Sequence, residues 1–209
     1  DRQDAKGRTA LSHAVSARNL AAVRDLIARG ASVNAADKTG ISPLMYAIRA
    51  NSKAMAQLLL DNGAAVRAQT RTGHTPLMIA AARGRSEIAG MLISSGADIN
   101  GRSGENDTPL ILAAMYGHTT TALLLIARGA DVNAREASGI TALMMAADGG
   151  NLALVQALLA RGAEVDATTL GGESALLLAA DKGYKSIVRL LQNAGATAPY
   201  DYQPSRDVT

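Results

Sequence analysis

A beat of 33 residues runs through almost the whole chain, and it limits the fold more than any other feature. From Thr9-Ala10-Leu11, steps of 33 land on Ser42-Pro43-Leu44, Thr75-Pro76-Leu77, Thr108-Pro109-Leu110, Thr141-Ala142-Leu143 and Ser174-Ala175-Leu176, with no insertion. The same step joins Ala14, Ala47, Ala80, Ala113, Ala146 and Ala179, then Leu26, Leu59, Leu92, Leu125, Leu158 and Leu191, then Gly30, Gly63, Gly96, Gly129, Gly162 and Gly195. A fixed period of this length means stacked supersecondary units, each burying its apolar face on its neighbours.

Each register position has a local reading. Ser or Thr before Pro/Ala-Leu starts a helix, because the hydroxyl caps free N–H groups and Pro tolerates the first turn. A short apolar helix follows, as in Leu77-Met78-Ile79-Ala80-Ala81, and Gly84, Gly117, Gly150 and Gly183 break it. A second helix then carries apolar residues at helical spacing, such as Leu152, Val155, Leu158 and Leu159. The late glycine fits a left-handed C-cap. The next stretch, with glycine at 40, 73, 139 and 172, reads as an extended finger; Asn106 replaces that glycine once, and Asn tolerates positive φ.

The pattern Gly-x-Thr-Pro-Leu-x-x-Ala-Ala, then Gly, then Leu-Leu-x-x-Gly-Ala-Asp-Val-Asn-Ala, resembles the ankyrin repeat, and Thr108 to Ala134 is nearly a consensus copy. The resemblance implies an all-α solenoid of six helix–turn–helix repeats with short extended finger loops, at about 4–36, 37–69, 70–102, 103–135, 136–168 and 169–200. A single domain over 1–200 and a flexible tail over 201–209 are expected. The family usually places His after Thr-Pro-Leu, where it ties neighbouring fingers. Here Ser12, Met45, Met78, Ile111, Met144 and Leu177 stand there, so the fingers must be held differently. The ends read as caps, with polar Ser12 and His13 in repeat one and Lys185, Ser186, Arg189, Gln192 and Asn193 in the last helix. Arg18-Asn19 replaces the turn glycine of repeat one, and Pro199 and Pro204 mark an extended or disordered tail.

Composition bounds the chemistry. The 209 residues hold no Cys, which excludes disulfides, zinc fingers and thiolate catalysis. A Cys-free chain fits an oxidising compartment such as the periplasm and also fits cytosol. The start at Asp1 suits a mature form after signal removal, or a trimmed chain. These features leave the compartment open; the resemblance, whose bacterial members are often exported, favours a bacterial periplasm, with cytoplasm the alternative. No apolar run reaches the length of a membrane span. His13, His74 and His118 fall at different repeat positions, and no nucleophile, zincin or phosphate-loop motif occurs. Asp98, Asp131 and Glu164 follow the C-cap glycine and read as loop structure. Met45, Met78 and Met144 share one position and suit core filling between helices better than a metal or adaptable stripe. Neither catalysis, nor a cofactor, nor a metal is implied.

Positions that differ between copies are free to carry specificity. By resemblance, partners bind at the finger tips and the inner face of the first helix. There repeats one to three are mainly basic, repeats five and six turn acidic, and repeat four carries Met115 with Tyr116. A solvated surface would need no more than this. The docking reading takes Lys38, Arg49, Arg71, His74, Arg83, Arg102, Met115, Tyr116 and Arg135 as contacts with a partner protein that has an acidic patch. Tyr200 and Tyr202 could add a second contact, although a frayed tail fits them better. The implied function is protein binding without catalysis, as an inhibitor, self-protection or helper protein of a partner enzyme; a cytoplasmic scaffold is the alternative. A monomer is expected when free. Nucleic acid is a weaker fit, since net charge is +3 and the five Tyr are scattered.

Overall fold

A computed structural model describes residues 2–197; Pro199, Tyr200, Tyr202, Pro204 and the tail expected over 201–209 lie outside the described residues. The described residues form twelve helices and no strand, as the all-α reading expects. They are α1 (Ala10–Ser16), α2 (Leu20–Ala28), α3 (Pro43–Arg49), α4 (Lys53–Asp61), α5 (Pro76–Ala82), α6 (Ser86–Ser94), α7 (Pro109–Met115), α8 (Thr119–Ala127), α9 (Ala142–Asp148), α10 (Leu152–Leu159), α11 (Ala175–Asp181) and α12 (Lys185–Asn193). They fall into two compact units, the first ending at Pro109 and the second starting at Leu110. In the first, α1, α3 and α5 lie side by side, backed by α2, α4 and α6. In the second, α9 packs on α11, α10 packs on α8 and α12, and α10 and α12 back α9 and α11.

The register residues account for the helix ends. The Thr9, Ser42, Thr75, Thr141 and Ser174 side chains accept from the backbone N–H three residues on. At the other end of the first helices, the carbonyls of Ala14, Ala47, Ala80, Ala113, Ala146 and Ala179 accept from the N–H of Asn19, Ser52, Arg85, His118, Asn151 and Tyr184. That bond closes over a left-handed residue. Gly fills the position in four copies, while Arg18 (φ 56°) and Asn51 (φ 52°) hold the same conformation in the first two. The Arg18 guanidinium also donates to the Ala50 carbonyl of the next repeat. At the end of the second helices, Leu26, Leu59, Leu92, Leu125, Leu158 and Leu191 accept from the alanine after the C-cap glycine, the Schellman bond.

Burial follows the same register. Leu59, Leu92, Leu125, Leu158 and Leu191 are fully buried, as are Met45, Met78 and Met144, so these methionines fill the core. Leu26 and Ala14 are only half-buried, because repeat one lacks a preceding neighbour. The capping expectation holds for α12, which buries Ile187 and Leu191 and exposes Lys185, Ser186, Arg189, Gln192 and Asn193. It fails for Ser12. That side chain is buried, its hydroxyl 3.3 Å from Thr9 Oγ1. A second hydroxyl beside the N-cap satisfies a polar group inside the core.

Leu125→Ala should destabilise by about 2–5 kcal/mol, since it opens a cavity at a fully buried site. Denaturant unfolding measures this, and a negligible loss would contradict the packing.

Candidate functional site

An extended finger leaves its backbone groups without helical partners, so something must satisfy them. One side-chain oxygen per repeat does this. Asp4, Asp37, Ser103, Glu136 and Thr169 each accept from the N–H groups two and four residues on, and Thr70 accepts from the one four on, at 2.8 to 3.2 Å. The residue types differ, but each carries an acceptor oxygen that closes a local turn. Gly7, Gly40, Gly73, Asn106, Gly139 and Gly172 then take positive φ, with Asn106 at 62°.

Backbone bonds tie successive fingers where the family would use His. In the first unit Lys38 N–H donates to the Lys6 carbonyl, Arg71 N–H to Thr39 and Gly104 N–H to Thr72, each at 3.0 Å; in the second unit Leu170 N–H donates to Ser138 at 2.8 Å. The approach is close. A Cβ on Gly40 would lie 2.8 Å from Thr70 Cα, and one on Gly73 would lie 2.7 Å from Gly104 N. Further along each repeat, Asn34 clasps the next copy, donating to the Gly63 carbonyl (3.0 Å) and accepting from Ala65 N–H (2.7 Å). Asn133 does the same with Gly162 and Glu164.

In repeats one and two the second oxygen of the finger carboxylate also grips the first helix. His13 Nε2 lies 3.0 Å from Asp4 Oδ2, and the Tyr46 hydroxyl donates to Asp37 Oδ2 at 2.6 Å. The Arg8 amide, aided by His13, Lys6 and the Arg8 side chain, holds the Asp4 carboxyl well below the usual carboxylate range. Burial works against the Asp37 charge, but hydrogen bonds from Thr39, Tyr46 and the Ile41 amide outweigh it and hold that carboxyl low. Burial and the Asp37 carboxylate push the Tyr46 phenol up to about 12. Asp37 Oδ1 meanwhile fixes Thr39 through both N–H (2.8 Å) and hydroxyl (2.7 Å). Finger three uses a neutral chain, in which Thr72 Oγ1 lies 3.0 Å from Thr70 Oγ1 and 2.8 Å from His74 Nδ1.

Between these two fingers and the ends of α3 and α5 lies a groove of about 440 Å³. Ile41, Ile79 and Ala82 give it an apolar floor; Arg49, Arg71, Arg83 and His74 rim it, with Thr39, Thr70 and Thr72 between them. No carboxylate lines it. Arg49, Arg71 and Arg83 are exposed and enter none of the ion pairs found among the described residues. Ala82 stands at the repeat position of Arg49 and Met115, and its small side chain leaves the space. A second depression, of about 650 Å³, shares Arg71 and His74 and adds Arg102 and Glu105.

The structure thus gathers Arg49, Arg71, His74 and Arg83 in one groove and sets Arg102 beside it. Lys38 is exposed on finger two and lines neither depression. Met115 and Tyr116 are 41% and 57% exposed at the end of α7. Arg135 is paired with Glu164 at 2.7 Å, so a partner would compete with that carboxylate for it. Asp98 and Asp131 accept from the N–H two residues on, the loop role read from their position. The threonines and the Ile79 floor were missed, because repeats two and three each supply part of the lining and neither shows the groove by itself. The six finger oxygens do carry a signal: they keep the 33-residue step. Among the described residues no cluster of three His, Cys, Asp or Glu could hold a metal, and no helix is long and apolar enough to cross a membrane.

A family model described as ankyrin repeats, in three copies, matches residues 1–70, 63–136 and 110–199. No curated protein matches the chain.

Two outcomes test the finger geometry. Gly172→Ala meets no neighbour and should cost about 1 kcal/mol from positive φ alone. Gly73→Ala must also displace the backbone of the next finger and should cost at least about 2 kcal/mol in denaturant unfolding. Tyr46→Phe should cost about 1 kcal/mol at neutral pH, a charged hydrogen bond discounted for partial exposure. Asp37 binds a proton less readily folded than unfolded. Its share is therefore present above about pH 4 and is lost as pH falls through the depressed folded value, so the gap between wild type and variant should narrow in acid. The phenol is raised, so its share is present below pH 10.0 and is lost as pH rises towards 12. A gap constant across acid pH would contradict the clamp.

Proposed function

Because the chain belongs to the ankyrin-repeat family, whose members are generally protein–protein interaction modules, we propose that it binds a partner protein without catalysing a reaction, through the finger and inner-helix surface of its first unit. The observation that carries this reading is the groove edged by Arg49, Arg71 and Arg83, with no carboxylate on its lining. Ion pairs occupy basic groups elsewhere: Arg8 with Asp4 at 2.9 Å, Arg29 with Asp25 at 3.0 Å and Lys53 with Glu87 at 2.9 Å. Like charges gathered around one depression repel each other, which a fold gains nothing from. They do favour encounter with an acidic surface, and Arg forks match carboxylates bidentately.

In this reading Lys38 and Arg102 belong to the first unit's surface, and Met115, Tyr116 and Arg135 are separate contacts on the second unit. The more specific form is inhibition, self-protection or assistance of a partner enzyme that carries an acidic patch, in a bacterial periplasm. A lone scaffold role in the cytoplasm is the alternative.

Affinity capture from the native source, identified by mass spectrometry, tests the binding reading. The wild-type chain should retain a partner that the Arg71→Glu/Arg83→Glu double variant loses, with a weakening of roughly 2 to 4 kcal/mol in a direct titration. The double variant's thermal midpoint should stay level or rise, because it relieves like-charge repulsion. Equal capture by both chains would remove the groove from the interface. Assaying a captured enzyme with and without the chain decides between inhibitor, helper and scaffold.

A further inference from the structure

We infer that the groove of the first unit takes an extended acidic peptide segment in which an aliphatic side chain stands between carboxylates; this rests on the protein-binding reading above. The lining divides into two chemistries. The floor of Ile41, Ile79 and Ala82 offers apolar area that a purely ionic ligand leaves unused. The rim offers three guanidiniums from three separate segments: Arg49 ends α3, Arg71 sits on finger three and Arg83 follows α5. A ligand that satisfies both needs a side chain pointing down and charges pointing outward to either side. An extended segment with acidic residues around a Leu, Ile or Val has that form, since successive side chains alternate in direction. A groove of about 440 Å³ takes a few side chains.

The wall and part of the floor are held in advance. Asp37 fixes Thr39 and Ile41, Tyr46 anchors Asp37, and the finger-to-finger bond sets Arg71 N–H on the Thr39 carbonyl. Binding therefore orders little besides the arginine side chains. Charge also favours one place over the next. The neighbouring depression sets Glu105 beside Arg71 and Arg102, whereas no carboxylate offsets Arg49, Arg71 and Arg83 around the groove.

Nucleic acid meets the rim but not the floor. The lining holds no Tyr, Phe or Trp on which bases could stack, and the His74 ring is engaged by Thr72. Phosphates gain nothing from an isoleucine floor.

Panning a phage-displayed library of random short peptides on the full chain tests this, with selected peptides then titrated by fluorescence anisotropy. Selected sequences should be enriched in Asp or Glu on both sides of Leu, Ile or Val. Replacing their carboxylates by amides should weaken binding by about tenfold or more on the wild-type chain, and so should Arg83→Glu on the protein. Replacing the aliphatic residue by Ser should weaken it several-fold. No acidic enrichment, equal binding of the amide peptides, or displacement of the peptides by an oligothymidylate of equal charge overturns the inference. The two readings fail separately. If capture depends on Arg71 and Arg83 while acidic peptides do not bind, the segment inference falls and protein binding stands. If peptides bind as expected and no protein is captured, the groove chemistry stands and the function falls.

Discussion

Short helices leave more backbone groups unpaired than they pair, and this molecule is built around that constraint. A helix loses four N–H groups at its start and four carbonyls at its end. The first helix of each pair has only seven residues, so its own ladder satisfies few of them. The remainder is met by bonds that recur at fixed positions: the Ser/Thr cap, the alanine carbonyl closing over a left-handed turn, the leucine carbonyl of the Schellman end and the finger oxygen. Each needs a suitable group at one place: a capping hydroxyl, a residue that takes positive φ, or an acceptor oxygen. The sequence keeps its beat because the backbone accounts fail if any copy drifts.

That is why helices, turns and most of the core were legible in advance. Ala47, Leu59 and Gly63 could be read as packing and capping residues because each function repeats. Ser12 was misread, since a polar residue at a chain end suggests an outer face, and only the neighbouring Thr9 hydroxyl shows that it can be buried. The groove was less legible. Its arginines were visible as exposed basic groups, but its depth depends on Ala82 being small beside Ile41 of the preceding repeat, a pairing across copies that no single repeat displays. Arg135 illustrates the converse: its type suggested an interface anchor, while Glu164 of the next repeat already occupies it.

The missing histidine shows how the same physical demand can be met by other atoms. A finger needs its backbone satisfied and its neighbour held. Carboxylates at Asp4, Asp37 and Glu136 and hydroxyls at Thr70, Ser103 and Thr169 meet the first need; the second is met by backbone N–H to carbonyl bonds that require no particular side chain. The histidine position is then free for Met45, Met78 and Met144, which fill space between helices. A polar tie is exchanged for apolar burial, and the close finger contact is retained by Gly40 and Gly73.

This division sets where recognition can vary. Within a finger, the oxygen at Asp37 or Thr70 is committed to the backbone, whereas the next residue donates only its N–H and leaves its side chain unconstrained. That neighbour is Lys38, Arg71, Gly104 and Leu170 in successive examples, and Leu170 is 86% exposed. Charge, absence of a side chain and apolar surface are all tolerated there. Finger two departs from a clean separation, because Asp37 both closes its turn and, through Thr39 and Ile41, shapes the groove's wall and floor. Loss of that carboxylate would disturb scaffold and wall together, while substitution at Arg71 would change charge and leave the hydrogen bonds intact. The arginine rim is therefore the part of the proposed site whose charge can change without changing the fold.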